Sequence, residues 1–161
     1  MLTFAHADPT IESSRLILRR YYDDIIGRYH GRPATAAEIE ETLADEPSDD
    51  LHGDTGAFVL ALDGDRVLGC AGVRYVGTEI GELTRVFITA EARGRGLGAA
   101  LIGEVERLAE QHGVRRMRLE VRGDLVEAQR LYRRTGYRDV SAFSDGPYAD
   151  HWMAKDLVAP A

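Results

Sequence analysis

The chain is poor in the residues that staple a small domain or load it with cations. Its one cysteine, Cys70, rules out an internal disulfide and a cysteine-built zinc site, and no metal site is expected elsewhere. Its one lysine, Lys155, leaves arginine to carry nearly all of the positive charge, and the planar arginine fork suits phosphate well. No apolar run approaches the roughly 20 residues needed to span a bilayer; residues 57–62 form one of the longest. Residues 1–10 include Asp8 and Pro9 and lack the apolar centre of a secretory leader. Positive charge is also in deficit, with 20 basic residues against 27 acidic ones and a net charge of −7. That balance argues against a general binder of nucleic acid or anionic membrane. A cytoplasmic protein is expected.

What is present is an ordinary globular composition. With 161 residues, 44% of them hydrophobic and 29% charged, the chain can bury one sizeable core. No repeat, low-complexity tract or linker divides it, so residues 1–161 read as a single domain with a core at about 14–157 and short tails.

Periodicity orders the elements. Residues 14–20 read as a first strand through Leu16 and Leu18, and residues 23–30 as a short helix carrying Ile25, Ile26 and Tyr29. Thr35 and Glu38 form a capping-box pattern ahead of a second helix with Ile39 and Leu43 on one face. Residues 45–56 read as a polar loop. Residues 57–62 and 66–76 are strands joined at Asp63-Gly64-Asp65, and Gly77-Thr78 leads into a third at 80–88. The period then changes to helical over 98–112, ending at Gly113. Residues 116–121 alternate as a strand. Asp124 and Glu127 form a cap pair opening a helix that stops at Gly136, and residues 137–143 and 151–157 read as closing strands. The expected fold is α/β: a mixed sheet with an antiparallel meander followed by helix, strand, helix and strands, with helices on both faces.

The most informative stretch is Arg93-Gly94-Arg95-Gly96-Leu97-Gly98, between a strand and a helix. A helix N-terminus offers unpaired N–H groups and a positive dipole end, and glycines let that backbone approach a ligand. With two arginines beside it, the turn suits a phosphate. The bland alternative is a glycine-rich loop with solvated arginines. The missing Gly-Lys-Ser/Thr ending excludes a nucleotide-triphosphatase loop. Gly94-x-Gly96-x-x-Ala99 satisfies the dinucleotide fingerprint, with Glu120 as a possible ribose acceptor, but that fold needs a parallel unit where this chain has a meander.

Arg93-x-x-Gly96-x-Gly98 resembles the acetyl-coenzyme-A signature of the GNAT family of N-acetyltransferases, Gln/Arg-x-x-Gly-x-Gly/Ala. The segment from Glu82 to Ile88 resembles that family's central strand, and residues 128–137, with Leu131-Tyr132 and Gly136-Tyr137, resemble its Ala-x-x-Leu-Tyr-x-x-x-Gly-Phe segment. Residues 153–157 are similar to its last strand. The resemblance implies an acetyl-CoA-dependent N-acetyltransferase. Backbone groups of Val86, Phe87 and Ile88 would pair with the pantetheine arm. The turn Arg93, Gly94, Arg95, Gly96, Leu97, Gly98 and Ala99 would hold the pyrophosphate. Leu125 departs from the family, which often has asparagine seven residues before the tyrosine.

Amide formation from a thioester needs an amine stripped of its proton, a donor for the developing oxyanion and a stabilised leaving thiolate. Glu82 stands eleven residues before Arg93, at the position the resemblance implies for the general base, and plain alternation sets it on one face with Thr84, Val86 and Ile88. The bland alternative is a solvated strand glutamate. Tyr132 matches the family's general acid, although a tyrosine of pKa ~10 protonating a thiolate of pKa ~8.5 works uphill by about 2 kcal/mol. Stabilising the sulfur by a hydrogen bond is its expected task, with a core anchor as the alternative. A backbone N–H near Phe87 is the expected oxyanion donor.

The remaining candidates are weaker. Cys70 reads as a core thiol and His112 as a helix-end residue. His151, Trp152, Tyr21, Tyr22, Tyr29 and Tyr148 read as pocket walls or packing, and the acidic run from Asp45 to Asp50 as a solvated loop or an attractor of cationic amines. With no acyl-carrying nucleophile in view, direct transfer to a small-molecule or peptide amine in a ternary complex is expected, by a monomer or homodimer. The alternative is a non-catalytic acyl-CoA sensor.

Overall fold

The computed structural model describes residues 1–157 and gathers the alternating segments into one seven-stranded sheet. Its strands are β1 (Leu2–His6), β2 (Gly56–Asp63), β3 (Arg66–Val76), β4 (Ile80–Ile88), β5 (Arg116–Val121), β6 (Arg138–Asp139) and β7 (His151–Asp156). The helices are α1 (Glu12–His30), α2 (Ala36–Asp45), α3 (Leu97–His112) and α4 (Val126–Arg134). The spatial order is β1-β2-β3-β4-β5-β7-β6. Every neighbouring pair is antiparallel except β4–β5, where α3 carries the chain back for a second strand in the same direction. Among the described residues, no helix is long and apolar enough to cross a membrane.

Each face of the sheet buries its own set of side chains, as the mixed-sheet α/β reading requires. One face packs Val59, Val73, Leu83, Met117, Leu119 and Met153 against Leu101, Ile102 and Val105 of α3 and Tyr132 of α4. The other packs Phe58, Leu60, Cys70 and Phe87 against Ile17 and Leu18 of α1 and against Leu51. Full burial of one such side chain contributes about 1.5–3 kcal/mol. Thr35 caps α2 as its pattern predicts: its hydroxyl accepts the Glu38 N–H at 3.1 Å, while the Glu38 carboxylate accepts the Thr35 N–H at 2.9 Å.

Four expectations are corrected. Residues 14–20 are helical, the first half of α1, so residues 23–30 are its second half and not a separate helix. Ser14, Ile17, Leu18 and Tyr22 are buried together while Leu16 is exposed, the three-to-four spacing of a helix face. The N-terminal segment is no tail. Its residues Leu2–His6 form the edge strand paired with β2. The strand expected over 137–143 shrinks to Arg138–Asp139, and α4 is capped at Leu125 with no side-chain bond, because Arg122 holds the Asp124 carboxylate by two bonds of 2.9 Å. The C-terminal tail expected after 157 lies outside the described residues.

Candidate active site

The site begins with a gap in the sheet. β4 and β5 pair only at Ile80–Arg116, Gly81–Met117 and Glu82–Arg118. Beyond Glu82 the strands part, and the β4 backbone up to Ile88 has no strand partner on its β5 side. Thr89 N–H donates to Leu68 O at 2.9 Å. Strand alternation therefore turns the backbone groups of Phe87 toward β3 and those of Val86 and Ile88 into the wedge. Of the three residues expected to meet a pantetheine arm, Phe87 is thus aimed at its own sheet.

A bulge re-aims the middle of β4. Gly72 faces Thr84 and Cys70 faces Phe87, so β4 spends one residue more than β3 between these rungs. Arg85 stands at the bulge with a φ of 57°, the only non-glycine with positive φ among the described residues. The extra residue overturns the expected alternation. Val86 and Ile88 pack toward α3, whereas Glu82, opposite in pleat to Leu83, lies on the face of Phe87 and α1.

Glu82 is half-buried, and its Oε2 accepts from Arg118 Nε at 3.1 Å. Arg118 lies 4.3 Å from the Phe143 ring centroid, and Arg74 is the β3 register partner of Glu82. Glu82 is therefore not freely solvated: arginines stand at its paired positions on both neighbouring strands.

Tyr132 is buried on α4, and its hydroxyl has no hydrogen-bond partner among the described residues. Burial, with a smaller contribution from Tyr21, pushes its pKa above the ordinary tyrosine value. Tyr21 of α1 packs edge-on against Phe87 of β4, with ring centroids 6.1 Å apart. An ion pair of 2.6 Å between Arg28 of α1 and Glu127 of α4 spans the layers.

At the wide end of the wedge lies the glycine-rich turn. Gly94 and Gly96 have φ of 80° and 75°, and Gly96 is the N-cap of α3. Ala100 N–H is the first to bond back, to Gly96 O at 3.2 Å. The N–H groups of Gly94, Arg95, Gly96, Leu97, Gly98 and Ala99 donate to no acceptor among the described residues. Space is open at Gly94 and Gly96, whereas a Cβ on Gly98 would sit 2.7 Å from Leu131 Cδ2. Gly98 thus lets α3 approach α4, and the Leu97 side chain is core, so both offer the turn only their backbone. Arg93 folds back: its Nε donates to Ile88 O at 3.1 Å, and Nη2 stands 3.8 Å from Asp24 of α1. Arg95 is exposed and free of ion pairs among the described residues. Next to the turn, an open cavity of about 510 Å³ is lined by Arg20, Arg28, Arg32, Phe87 and Arg93 among others.

Residues named from sequence for other roles take definite places. Cys70 is fully buried, burial raises its thiol pKa, and its Sγ donates to Arg85 O at 3.2 Å. His112 stacks on Tyr75 at 3.9 Å, and Trp152 Nε1 donates to Ser144 Oγ at 2.9 Å. Tyr29 meets Tyr148 edge-on at 5.4 Å. The acidic run is less solvated than expected, because Ser48 is buried and Asp50 accepts from Arg74 Nη2 at 3.1 Å. Arg85, Arg118 and Arg74 were not singled out from sequence. Their signal was partial, charges in a strand whose phase the bulge conceals.

The comparisons agree with this architecture. Residues 18–137 match the Acetyltransferase (GNAT) family. An uncharacterized N-acetyltransferase of Schizosaccharomyces pombe is 24% identical over 139 residues, covering 85% of this chain and 82% of that one. A GNAT-family acetyltransferase from Staphylococcus aureus superposes with a TM-score of 0.78 at 13% identity, covering 98% of this chain and all of that one. The PaiA N-acetyltransferase of Thermoplasma acidophilum, solved in complex with coenzyme A, gives a TM-score of 0.75 at 18% identity, covering 97% and 99%. With the family match over most of its length, and a sheet split beside a glycine-turned helix N-terminus, the chain belongs to the GNAT acetyltransferase family.

Proposed function

We propose that the protein transfers an acetyl group from acetyl-CoA to a primary amine, directly and within a ternary complex. The observation that carries the reading is the run of free N–H groups from Gly94 to Ala99, placed where the unpaired edge of β4 ends. Backbone donors at the positive end of a sixteen-residue helix favour a pyrophosphate. The wedge-facing groups of Val86 and Ile88 suit the amides of an extended pantetheine arm, which adds to β4 as a strand would. The coenzyme A held by the Thermoplasma relative supports the same cosubstrate here.

In this reading Glu82, held by Arg118, takes the amine proton directly or through one water. The Val86 N–H, first after the bulge, replaces the region of Phe87 as the donor to the developing oxyanion. Tyr132 donates a hydrogen bond to the departing sulfur. Its raised pKa makes complete proton transfer more uphill than for an ordinary tyrosine, so stabilisation without transfer is its role. Cys70, buried and bonded to a backbone carbonyl, does not serve as an acyl carrier.

The test is release of free CoA thiol on mixing acetyl-CoA with a panel of primary amines. Amine-dependent release supports the reading. Tight CoA binding without release for any amine would favour a sensor instead.

A further inference from the structure

The face of the sheet that carries Glu82 also holds an arginine with no acid of its own. The carboxylates beside it are already matched, Asp50 with Arg74 and Glu82 with Arg118. Arg85 is 9% exposed and has no carboxylate within ion-pair distance among the described residues. Its Nε donates to Ser48 Oγ at 3.2 Å, Nη1 to Thr84 Oγ1 at 2.8 Å and Nη2 to the Glu46 carbonyl at 3.2 Å. A guanidinium has five N–H groups, so one remains on each terminal nitrogen, the number that the two oxygens of a carboxylate take. The Nε bond is fully buried and the two terminal bonds are partly buried.

A second, independent observation lies beneath it. The Arg85 guanidinium carbon sits 5.6 Å from the centroid of the Tyr22 ring. Tyr22 is 1% exposed, and its hydroxyl is buried with no hydrogen-bond partner. A buried hydroxyl left unmet is destabilising. A non-glycine residue in the left-handed region is strained, and here that conformation, at φ 57°, stands three residues past Glu82.

We infer that Arg85, with Tyr22 below it, binds a carboxylate on the acceptor, so that the amines acetylated are amino-acid-like. This rests on the reading of the site as an N-acetyltransferase. The geometry divides the acceptor between two anchors on one strand: its anion at Arg85 and its amine at Glu82.

The experiment uses matched acceptors that differ only in the carboxylate: phenylalanine against phenethylamine, and leucine against 3-methylbutylamine. O-phosphoethanolamine against ethanolamine forms a separate arm for phosphate. The wild type should favour each carboxylated member at least tenfold in kcat/KM. Arg85→Gln should erase that preference through a roughly 10- to 100-fold rise in KM for the carboxylated member, the range for a lost charged hydrogen bond. CoA binding serves as the control for folding. No preference in the wild type, a preference that survives in R85Q, or a preference for the phosphate arm alone overturns the inference.

Should no amine be turned over, titration calorimetry of the same amines into CoA-saturated protein decides between the two readings. Binding of the carboxylated members that R85Q abolishes keeps the anion site while the transferase reading falls. Absence of binding overturns the site. Should R85Q fail to fold, Tyr22→Phe carries the test. It removes only the orphan hydroxyl, so the unliganded protein should melt no lower while KM for the carboxylated acceptor rises severalfold. An unchanged KM overturns the inference.

Discussion

Glu82 and Arg118 share the last hydrogen-bonded rung between β4 and β5, with Nε and Oε2 at 3.1 Å. The pair closes the narrow end of the wedge and fixes the carboxylate relative to the strand that carries the proposed oxyanion donor. The second carboxylate oxygen of Glu82 makes no bond to the described residues and can face an amine or a water.

Glu82→Gln should therefore lower kcat/KM by roughly 10²- to 10⁴-fold at neutral pH, the range for one general base. The loss should shrink as pH rises, because more of the amine is then already neutral. The check is a full pH–rate profile; one parallel to wild type would return Glu82 to a purely structural role.

Tyr132→Phe keeps the ring that packs at 6.1 Å from Tyr137 and deletes only the hydroxyl. Turnover should fall roughly tenfold to a thousandfold with acetyl-CoA affinity nearly intact. Tyr132→Ala should also be unstable, by about 3–5 kcal/mol in the manner of other buried ring truncations. Rapid-quench kinetics and thermal melts separate the two effects.

Gly96→Val should weaken CoA binding through backbone strain, since nothing lies within 4 Å of the new Cβ yet φ is 75°. Only glycine takes that value without cost, with asparagine next. The ordering expected by calorimetry is Gly, then Asn, then Val. An equal loss for Asn and Val would mean bulk, and not conformation, governs the turn.

Gly69→Ala tests the wedge from behind. Its Cβ would stand 2.5 Å from the Phe87 carbonyl oxygen and 2.9 Å from Ile88 Cδ1. Backbone cannot swing aside as a side chain can, so the variant should lose about 1–3 kcal/mol. Its CoA affinity should fall with it, because the displaced strand is the one that lines the wedge.

The capping box of α2 predicts an acid-limb effect. Bonds from Arg32, and then from the Thr35 backbone, lower the Glu38 pKa to about 2. A free glutamate titrates at ~4.3. A carboxyl depressed on folding adds stability that is fully present above the unfolded value and is lost as pH falls through the folded one. Melting temperature should thus decline from about pH 4.3 toward pH 2, and Glu38→Gln should flatten part of that decline.

The sequence discloses most of the architecture because period and punctuation agree over β2, β3, β5 and α3. Asp63-Gly64-Asp65 turns where expected, with Gly64 at φ 60°, and Gly113 ends α3 at φ 105°. The misreading of residues 14–20 has a plain cause. Leu16-Ile17-Leu18 satisfies either period over so short a window, and only the longer series Ser14, Leu18, Tyr22 reveals the helix. The free N–H groups of the turn from Gly94 to Ala99 were legible because glycines announce that backbone. The bulge in β4 was not. An arginine in the left-handed region leaves no mark on hydropathy, so the one-residue slip that separates Glu82 from Val86 shows only in the register.

The three rungs that join β4 to β5 also bear on how the molecule coheres. β1 to β4 and β5 to β6 form two hydrogen-bonded leaves sewn by one short seam. Amide hydrogens of Val86 and Ile88 that face the gap should exchange with solvent far faster than those of Met117 or Leu119, until a bound arm shields them. Anything that binds the folded state alone stabilises it by RT ln(1 + [L]/Kd). On the proposed reading acetyl-CoA would then act as a removable stitch, and the resistance of the fold to unfolding and proteolysis would follow its concentration.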